Sequence, residues 1–252
     1  MPDGQTIGGM IMSWKKRAIY ILMGIFLTIT AWVLSLEYVT YDVDHYMTEF
    51  EKQNWIPQAG MDQENLEHAA EEIILYLQGE KEDFQTMAVK DGEYQPLYDE
   101  RERLHMVDVL DLYNTARLLR NISIAGFILL LIWVVLKDKK WQNHFLRTLF
   151  YTGLANVDMM ILLGLLIWLD FTKYFTYFHL LLFDNDLWIL DPQRHVLIQL
   201  LPETFFINTA MKIGLTAMGS LLVIGIIAWQ LERMLRRYQD SCREYEEKGN
   251  LE

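Results

Sequence analysis

Four long stretches of this 252-residue sequence are nearly free of charged residues. A helix rises about 1.5 Å per residue, so roughly 20 apolar residues span a hydrocarbon core that is about 30 Å thick. The sequence therefore predicts four transmembrane helices. They cover residues 18–36, 120–136, 148–169 and 207–229.

Lys and Arg cluster at alternate ends of these stretches, and their positions predict the topology. By the positive-inside rule, segments rich in these residues face the cytoplasm. Both termini, the link of residues 137–147 and the tail of residues 230–252 are therefore predicted to be cytoplasmic, and residues 37–119 and 170–206 extracellular. The basic residues are Lys15, Lys16, Arg17, Lys137, Lys139, Lys140, Arg147, Arg233, Arg236 and Arg237.

The first extracellular segment, residues 37–119, is long and acidic. It carries 20 Asp and Glu against 6 Lys and Arg, whereas the whole chain has a net charge of −12. Such a surface argues against nucleic acid as a partner, because nucleic acid requires a basic surface. The predicted fold class is mainly α, a four-transmembrane-helix bundle with a small extracellular cap between helices 1 and 2.

Two features bear on processing and redox chemistry. The first apolar stretch exceeds the usual 7–15 residues of a signal-peptide core and lacks a small-x-small site, so we expect it to remain as an anchor. The single cysteine, Cys242, lies in the predicted cytoplasmic tail, so the sequence offers neither an intramolecular disulfide nor an extracellular catalytic thiol.

Local patterns predict the structure within the cap. Leu66, Ala70, Ile73 and neighbouring apolar residues recur at helical spacing and predict a helix near residues 63–78, with Gly79 as its stop. Residues 91–96 (DGEYQP) are typical of a turn. Residues 99–119 contain no Gly or Pro, so we expect this helix to continue into the second span.

Six histidines are candidates for acid–base chemistry. His45 and His68 have polar or acidic neighbours and are interpreted as solvated, and His144 lies in the cytoplasmic link. His105 precedes Asp108 by one helical turn, where a carboxylate can fix an imidazole tautomer and stabilise its charge. His-x-x-Asp is common on surface helices, so a catalytic and a structural role are equally compatible with this spacing.

The segment of residues 178–206 (FHLLLFDNDLWILDPQRHVLIQLLPETFF) joins the third and fourth spans at the level of the lipid headgroups. His179 is expected at the same depth as His105, and a weakly solvated imidazole suits general acid–base catalysis. A lone histidine in an apolar run is also typical of a core residue bonded to a carbonyl. Supporting or substrate-binding candidates are Asn185, Trp188, Asp191 and Glu203, and the two acids are equally interpretable as cap or turn residues.

The remaining motifs leave three classes of function open. The sequence contains no HExxH, GxSxG or phosphate-binding glycine loop, and its His, Asp and Glu residues lack close metal-ligand spacing. The open classes are an enzyme that uses histidine acid–base chemistry, a non-enzymatic envelope protein whose acidic cap binds a partner, and a metal-dependent membrane hydrolase. Asp158, inside the third span, is expected to be hydrogen-bonded within the bundle.

The layout and two motifs resemble the bacterial lipoprotein intramolecular transacylase family. The motifs are H-x-x-D-V at residues 105–109 and FH-x3-F-x-ND-x-W-x-LDP…LI…PE-x-FF at residues 178–206. The resemblance implies an enzyme that moves the sn-2 acyl chain of a lipoprotein's diacylglyceryl-Cys to the Cys amino group, giving a lyso-form lipoprotein.

The resemblance further implies that His105 and His179 are catalytic, at the extracellular face of the bacterial cell membrane. The implied partners are the diacylglyceryl-modified lipoprotein and membrane lipids, and neither a cofactor nor a metal is expected. Which histidine is the base stays open. The chain departs from the family pattern at Arg194 and His195, and His195 is either a third imidazole near the site or a neutral variation.

Overall fold

The computed structural model describes residues 13–52 and 60–249, with side chains to residue 244. Residues 53–59 of the predicted cap and 250–252 of the predicted tail lie outside the described part. Within it are seven α-helices and one two-stranded sheet. They are α1 (Trp14–Thr40), α2 (Val43–Lys52), α3 (Gln63–Gln78), β1 (Met87–Lys90), β2 (Glu93–Pro96), α4 (Glu100–Lys137), α5 (Trp141–Leu182), α6 (Val196–Leu200) and α7 (Glu203–Gly249).

Four helices, α1, α4, α5 and α7, are long and apolar enough to cross a membrane, which confirms the predicted four-helix membrane bundle. The 38 residues of α4 extend about 57 Å at 1.5 Å per residue. This length exceeds the ~30 Å hydrocarbon core, so one continuous helix carries the chain from the cap into the membrane. The expected fusion of residues 99–119 with the second span is confirmed.

Helix α5 is interrupted at Asp170, directly after the predicted end of the third span. Asp170 has an extended backbone with φ −171° and ψ 85°. Its carboxylate accepts a hydrogen bond from the backbone N–H of Lys173 at 3.0 Å, so it caps the helical segment that follows. That segment continues to Leu182 and carries a cluster of aromatic residues together with His179.

Polar and small residues hold the bundle together within the membrane. Asn156 is fully buried on α5. It accepts a hydrogen bond from Trp32 Nε1 at 2.7 Å and donates to Thr28 Oγ1 at 3.0 Å, both on α1. In contrast, Asp158 is exposed on the outer surface of α5. The expectation of a hydrogen-bonded Asp158 inside the bundle is wrong, because the buried face of α5 here is that of Asn156 and Met160.

The contact between α5 and α7 depends on a glycine. A Cβ atom on Gly153 would lie 2.8 Å from the backbone oxygen of Leu221, whereas a Cβ on Gly164 of the same helix would meet no atom within 4 Å. Backbone atoms cannot move aside as the end of a side chain can, so the close approach of the two helices requires glycine at this position.

We therefore expect Gly153→Ala to destabilise the protein by about 1–3 kcal/mol, the usual cost of overpacking. Thermal unfolding in detergent measures the effect. Gly164→Ala is the matched control and should unfold at or slightly above the wild-type temperature. Equal unfolding temperatures for the two variants would contradict the required approach.

The cap has its own apolar core, which is built from both connectors of the bundle. The core contains Tyr46 and Phe50 of α2, Leu66 and Ile73 of α3, and Phe84 before the hairpin. Residues of the second connector complete it. They are Val196, Leu197, Leu200, Leu201 and Phe205. Residues far apart in sequence thus form one compact layer at this end of the bundle.

Local sequence signals set the elements of the cap. Asp62 caps α3 through the backbone N–H of Asn65, and Gly79 ends it with φ 80°, which confirms the predicted helix and its stop. The turn predicted over residues 91–96 is wrong in extent. Only Asp91 and Gly92 turn, with φ 55° and 85°, and Glu93–Pro96 forms a strand antiparallel to Met87–Lys90. Asp-Gly favours the tight hairpin turn that both positive φ angles require.

His45 departs from its predicted solvated state. It is 4% exposed, and its Nε2 lies 2.8 Å from Thr209 Oγ1 of α7. His45, Tyr46, Glu49 and Phe50 form the buried face of α2. The polar neighbours Asp44 and Thr48 are exposed, so the prediction was wrong because it ignored the helical spacing. His68 is exposed, as predicted.

Burial lowers the pKa of His45 below its ordinary value of 6.5, and the charge of Lys212 lowers it further against the opposing charges of Glu49 and Asp42. The folded protein therefore holds this ring neutral where the unfolded chain binds a proton. Stability from this burial is fully present above pH 6.5 and declines as the pH falls below it.

We expect His45→Gln to flatten the loss of thermal stability between about pH 7 and pH 5, because a histidine titrates in that interval and an amide does not. Unfolding temperatures across this range measure the slope. His68→Gln, at an exposed histidine, should retain the wild-type slope. A slope for His45→Gln equal to that of His68→Gln would contradict the account.

Candidate active site

The start of α4 is fixed by a reciprocal hydrogen-bonded cap. Asp99 accepts a hydrogen bond from the backbone N–H of Glu102 at 3.1 Å, and the Glu102 carboxylate accepts one from that of Asp99 at 2.7 Å. The second oxygen of Glu102 accepts the backbone N–H of Leu197 in α6 at 2.6 Å. Glu102 is 1% exposed. This buried carboxylate thus sets the position of α4 one turn before His105.

His105 of α4 and His179 of α5 lie next to each other, with their ring planes tilted by 36°. Their ring centroids are 6.2 Å apart, and the two residues are 8% and 7% exposed. The Nδ1 atom of His105 is buried and has no hydrogen-bond partner within the described part of the chain. Buried polar atoms are almost always paired, so an unpaired one marks this ring as a candidate for contact with a substrate.

The tautomer of His179 is set by its own helix. Its Nδ1 lies 2.7 Å from the backbone oxygen of Phe175. A carbonyl oxygen only accepts hydrogen bonds, so Nδ1 carries the proton and the neutral ring presents its lone pair at Nε2. This arrangement orients an imidazole as a proton acceptor.

Aromatic rings enclose the histidine pair. Trp188 stacks on His179 with centroids 4.8 Å apart, and Phe175 packs edge-on against the same ring at 4.4 Å. Phe183 contacts both imidazoles at 5.6 Å. Phe178 is a further neighbour at 5.4 Å. The enclosure is apolar and limits the access of water to the two rings.

The spacing of Asp108 and His105 suggested a contact between their side chains, but Asp108 forms its hydrogen bond elsewhere. Its carboxylate accepts a hydrogen bond from Asn185 Nδ2 at 2.8 Å. The backbone oxygen of Asn185 accepts the indole N–H of Trp188 at 3.0 Å. Asp108 therefore acts through the connector, since it holds the turn that places Trp188 against His179.

Arg101, one turn before His105, is a residue that the sequence analysis did not single out. Its guanidinium donates to the backbone oxygen of Ile189 at 3.2 Å and to that of Asp186. It also lies 3.3 Å from the Asp186 carboxylate. These contacts clamp both sides of Trp188 to α4. A basic residue at this helical spacing was visible, but the backbone oxygens that it meets carry no sequence signal.

The other candidates contribute to the connector and not to the imidazole pair. Asp191 accepts the backbone N–H of Gln193 at 2.9 Å and closes a turn. Glu203, in the first turn of α7, accepts a hydrogen bond from Thr172 at 2.9 Å. His195 accepts the backbone N–H of Asp191 at 2.6 Å and lies 3.4 Å from the Asp99 carboxylate. All three residues thus fasten the connector.

Within the described residues, no group of three or more His, Cys, Asp or Glu side chains is arranged to hold a metal ion. The arrangement that is present combines two buried imidazoles, one with a fixed tautomer, and an aromatic enclosure. These groups can transfer protons to and from a bound substrate.

A sequence model of the lipoprotein intramolecular transacylase family, Lit, matches residues 21–206 of this chain. The structure of this chain is similar to that of the membrane integral lipoprotein intramolecular transacylase Lit from Bacillus cereus. The two share 24% sequence identity, and the TM-score is 0.69 over 90% of this chain and 98% of that one. A variant of the same protein with one histidine replaced by arginine has 23% identity and a TM-score of 0.66, over 90% and 95% of the chains. No curated protein sequence matches.

Proposed function

The chain belongs to the lipoprotein intramolecular transacylase family of membrane acyltransferases, and we propose that it moves the sn-2 acyl chain of a diacylglyceryl-Cys to the Cys amino group. The substrate is the N-terminal Cys of a lipoprotein, and the product is an N-acyl lyso-form lipoprotein. The observation that carries this proposal is the pair of buried histidines, His105 and His179, with centroids 6.2 Å apart.

The reaction needs one proton transfer on each side of a tetrahedral intermediate. The neutral amine attacks the ester carbonyl, a C–N bond forms, and the amine gives up a proton. The C–O bond to the glyceryl oxygen then breaks, and this oxygen takes a proton. No enzyme nucleophile is consumed, because the Cys amine itself is the acceptor.

His179 is suited to shuttle that proton. Its Nδ1–H is held by the Phe175 carbonyl, so Nε2 accepts the proton from the amine and returns it to the departing glyceryl oxygen. Low-polarity surroundings favour the neutral imidazole that a base requires. His105 supplies a second ring nitrogen at the same place, to donate a hydrogen bond to the oxyanion of the intermediate.

The aromatic enclosure can hold the substrate in the folded shape that the attack requires. Direct transfer closes an eight-membered ring through the amine nitrogen, the Cys carbons, sulfur, two glyceryl carbons, the ester oxygen and the carbonyl carbon. A medium ring forms reluctantly because the chain must fold back on itself. Trp188 and Phe183 line the imidazoles, and a confined site lowers the entropic cost of that folding.

We further propose that the histidine pair faces the outside of a bacterial cell membrane and that both termini are cytoplasmic. Lys15, Lys16 and Arg17 lie in the first turn of α1, and Lys137, Lys139 and Lys140 lie at the junction of α4 and α5. These basic ends of the helices mark the inner face. The acidic cap and the histidines lie toward the other ends of the same helices.

Expression in a bacterium whose lipoproteins are diacylated tests the proposal. Tandem mass spectrometry of a lipoprotein's N-terminal peptide should show an N-acyl, monoacylglyceryl Cys in place of a diacylglyceryl Cys with a free amine. A diacylglyceryl Cys that is unchanged, from cells in which the chain is folded and inserted in the membrane, would contradict it.

A further inference from the structure

A groove with a volume of about 930 Å³ opens between α1 and α5, far from the histidine pair. It begins at the end of the bundle where α1 starts and α5 starts. Most of its wall is apolar. Six of the residues that line it are Ile21, Ile25, Ile29, Tyr151, Ala155 and Met159.

The mouth of this α1–α5 groove is basic. Arg17 and Arg147 line it together with His144. Arg17 is exposed and forms no ion pair within the part of the chain that the structure describes. The Arg147 side chain is 48% exposed and pairs with Glu232 at 2.6 Å. The Nε–H group of Arg147 makes that contact.

The acid next to the mouth is already neutralised. Asp138 accepts hydrogen bonds from Tyr20 at 2.9 Å and Lys16 at 3.2 Å, and its carboxylate lies 2.7 Å from His144 Nδ1. These hydrogen bonds outweigh the effect of burial and keep the pKa of Asp138 well below its usual range. Glu232 is shared between Arg147 and Arg236. The mouth therefore presents a net positive charge to an approaching anion, from Arg17 and from this Arg–Glu–Arg group.

The groove has the length of one membrane leaflet. On α5 it extends from His144 to Met159, which at about 1.5 Å per residue corresponds to roughly 22 Å. Half of the hydrocarbon core is about 15 Å thick. The groove thus reaches from the level of the headgroups to about the middle of the bilayer.

We propose that the α1–α5 groove binds an anionic phospholipid of this leaflet, with one acyl chain along the apolar wall and the phosphate between Arg17 and Arg147. Basic pockets between transmembrane helices recognise anionic headgroups in this way, and guanidinium groups pair with phosphate through two hydrogen bonds. His179 lies 20 residues beyond Met159 on α5. The lipid is therefore a ligand distinct from the acyl substrate.

Native mass spectrometry of the full chain tests this site. The protein is exchanged into detergent with equal amounts of dioleoyl phosphatidylglycerol and dioleoyl phosphatidylcholine, so that only the headgroup differs. Retention of the first lipid should exceed that of the second by about tenfold, because phosphatidylglycerol has a net negative charge and the trimethylammonium group of phosphatidylcholine cancels the charge of its phosphate. Equal retention of the two lipids would overturn the proposal.

Variants locate the site. The double variant Arg17→Gln/Arg147→Gln should lose the preference for phosphatidylglycerol, and Glu232 keeps its second partner, Arg236 at 2.5 Å. Lys139→Gln/Arg237→Gln removes the same charge from exposed positions at this end of the bundle and should retain the preference. If both double variants behave alike, the groove is not the binding site.

Ala155→Trp provides a second test that leaves the charges intact. The indole would fill the apolar wall, so this variant should retain either lipid at least about fivefold less than the wild type does. Unchanged retention, in a variant with the wild-type unfolding temperature, would show that no acyl chain lies in the groove.

Discussion

Replacement of His179 by glutamine is expected to lower the rate of acyl transfer at least a hundredfold, and at most about 10⁴-fold, the range typical of general acid–base catalysis. Glutamine can keep a donor toward the Phe175 carbonyl, which now bonds to His179 Nδ1 at 2.7 Å. It cannot accept and return a proton. Loss of activity in this variant would therefore separate proton transfer from the positioning of the side chain.

His105→Leu should cost about 10²–10³-fold, the range measured when a donor to an oxyanion is removed, because leucine carries no hydrogen-bond donor. Both rates are measured on the purified protein with a synthetic diacylglyceryl lipopeptide. His68→Gln, at an exposed histidine of α3, is the control and should retain wild-type activity. Residual activity in both site variants equal to that of His68→Gln would contradict the proposed roles.

Asn185→Asp should reduce activity by about ten- to a hundredfold, although position 185 touches neither imidazole directly, since misplacement of a positioning group is costly. The new carboxylate would replace the amide that now donates to Asp108 at 2.8 Å. Two like charges at that separation repel, so the turn that holds Trp188 against His179 would open.

The same pair offers a rescue. In Asp108→Asn/Asn185→Asp the donor and the acceptor exchange positions, and the hydrogen bond between α4 and the connector is restored. The side chain of residue 185 now accepts a hydrogen bond from the backbone N–H of Leu187 at 3.0 Å. An aspartate at this position can accept the same bond. We expect this double variant to recover most of the activity. A double variant as slow as Asn185→Asp would show that the hydrogen bond is not what matters.

The elements that the sequence predicts well are those with local signals. The prediction of α3 rested on its apolar spacing and on Gly79 as its stop, and the structure adds the Asp62 cap at its start. The four spans follow from charge-free length. The turn of the hairpin was predicted, but its two strands were not. Strands of four residues are too short to show an alternating pattern, so only the Asp-Gly pair indicates the hairpin.

The meeting of His105 and His179 rests on topology. The short connection between α4 and α5 makes them antiparallel neighbours. His105 lies 32 residues before the end of α4, and His179 lies 38 residues after the start of α5, so the two lie at similar heights. Equal depth was therefore predictable, but the ring separation and the tautomer of His179 required coordinates.

The remaining features of the site depend on tertiary contacts that leave no pattern in the sequence. His45 has polar neighbours in the chain, but its partner Thr209 is on α7. Arg101 binds backbone oxygens of the connector, and any residue type could supply them. Asp108 precedes Asn185 by 77 residues. The folded connector brings the Asn185 amide to the Asp108 carboxylate, and the sequence alone does not show that Asp108 bonds to this amide instead of to the nearby His105.

The central claim is that one molecule's own sn-2 chain moves to its own amine, and a crossover experiment tests it most directly. A lipopeptide with a deuterated sn-2 chain is mixed with one that carries a heavier peptide and unlabelled chains, and the purified protein is added. We expect N-acyl products in which deuterium stays with its original peptide. Deuterium on the heavier peptide, or an N-acyl chain taken from the sn-1 position, would contradict it.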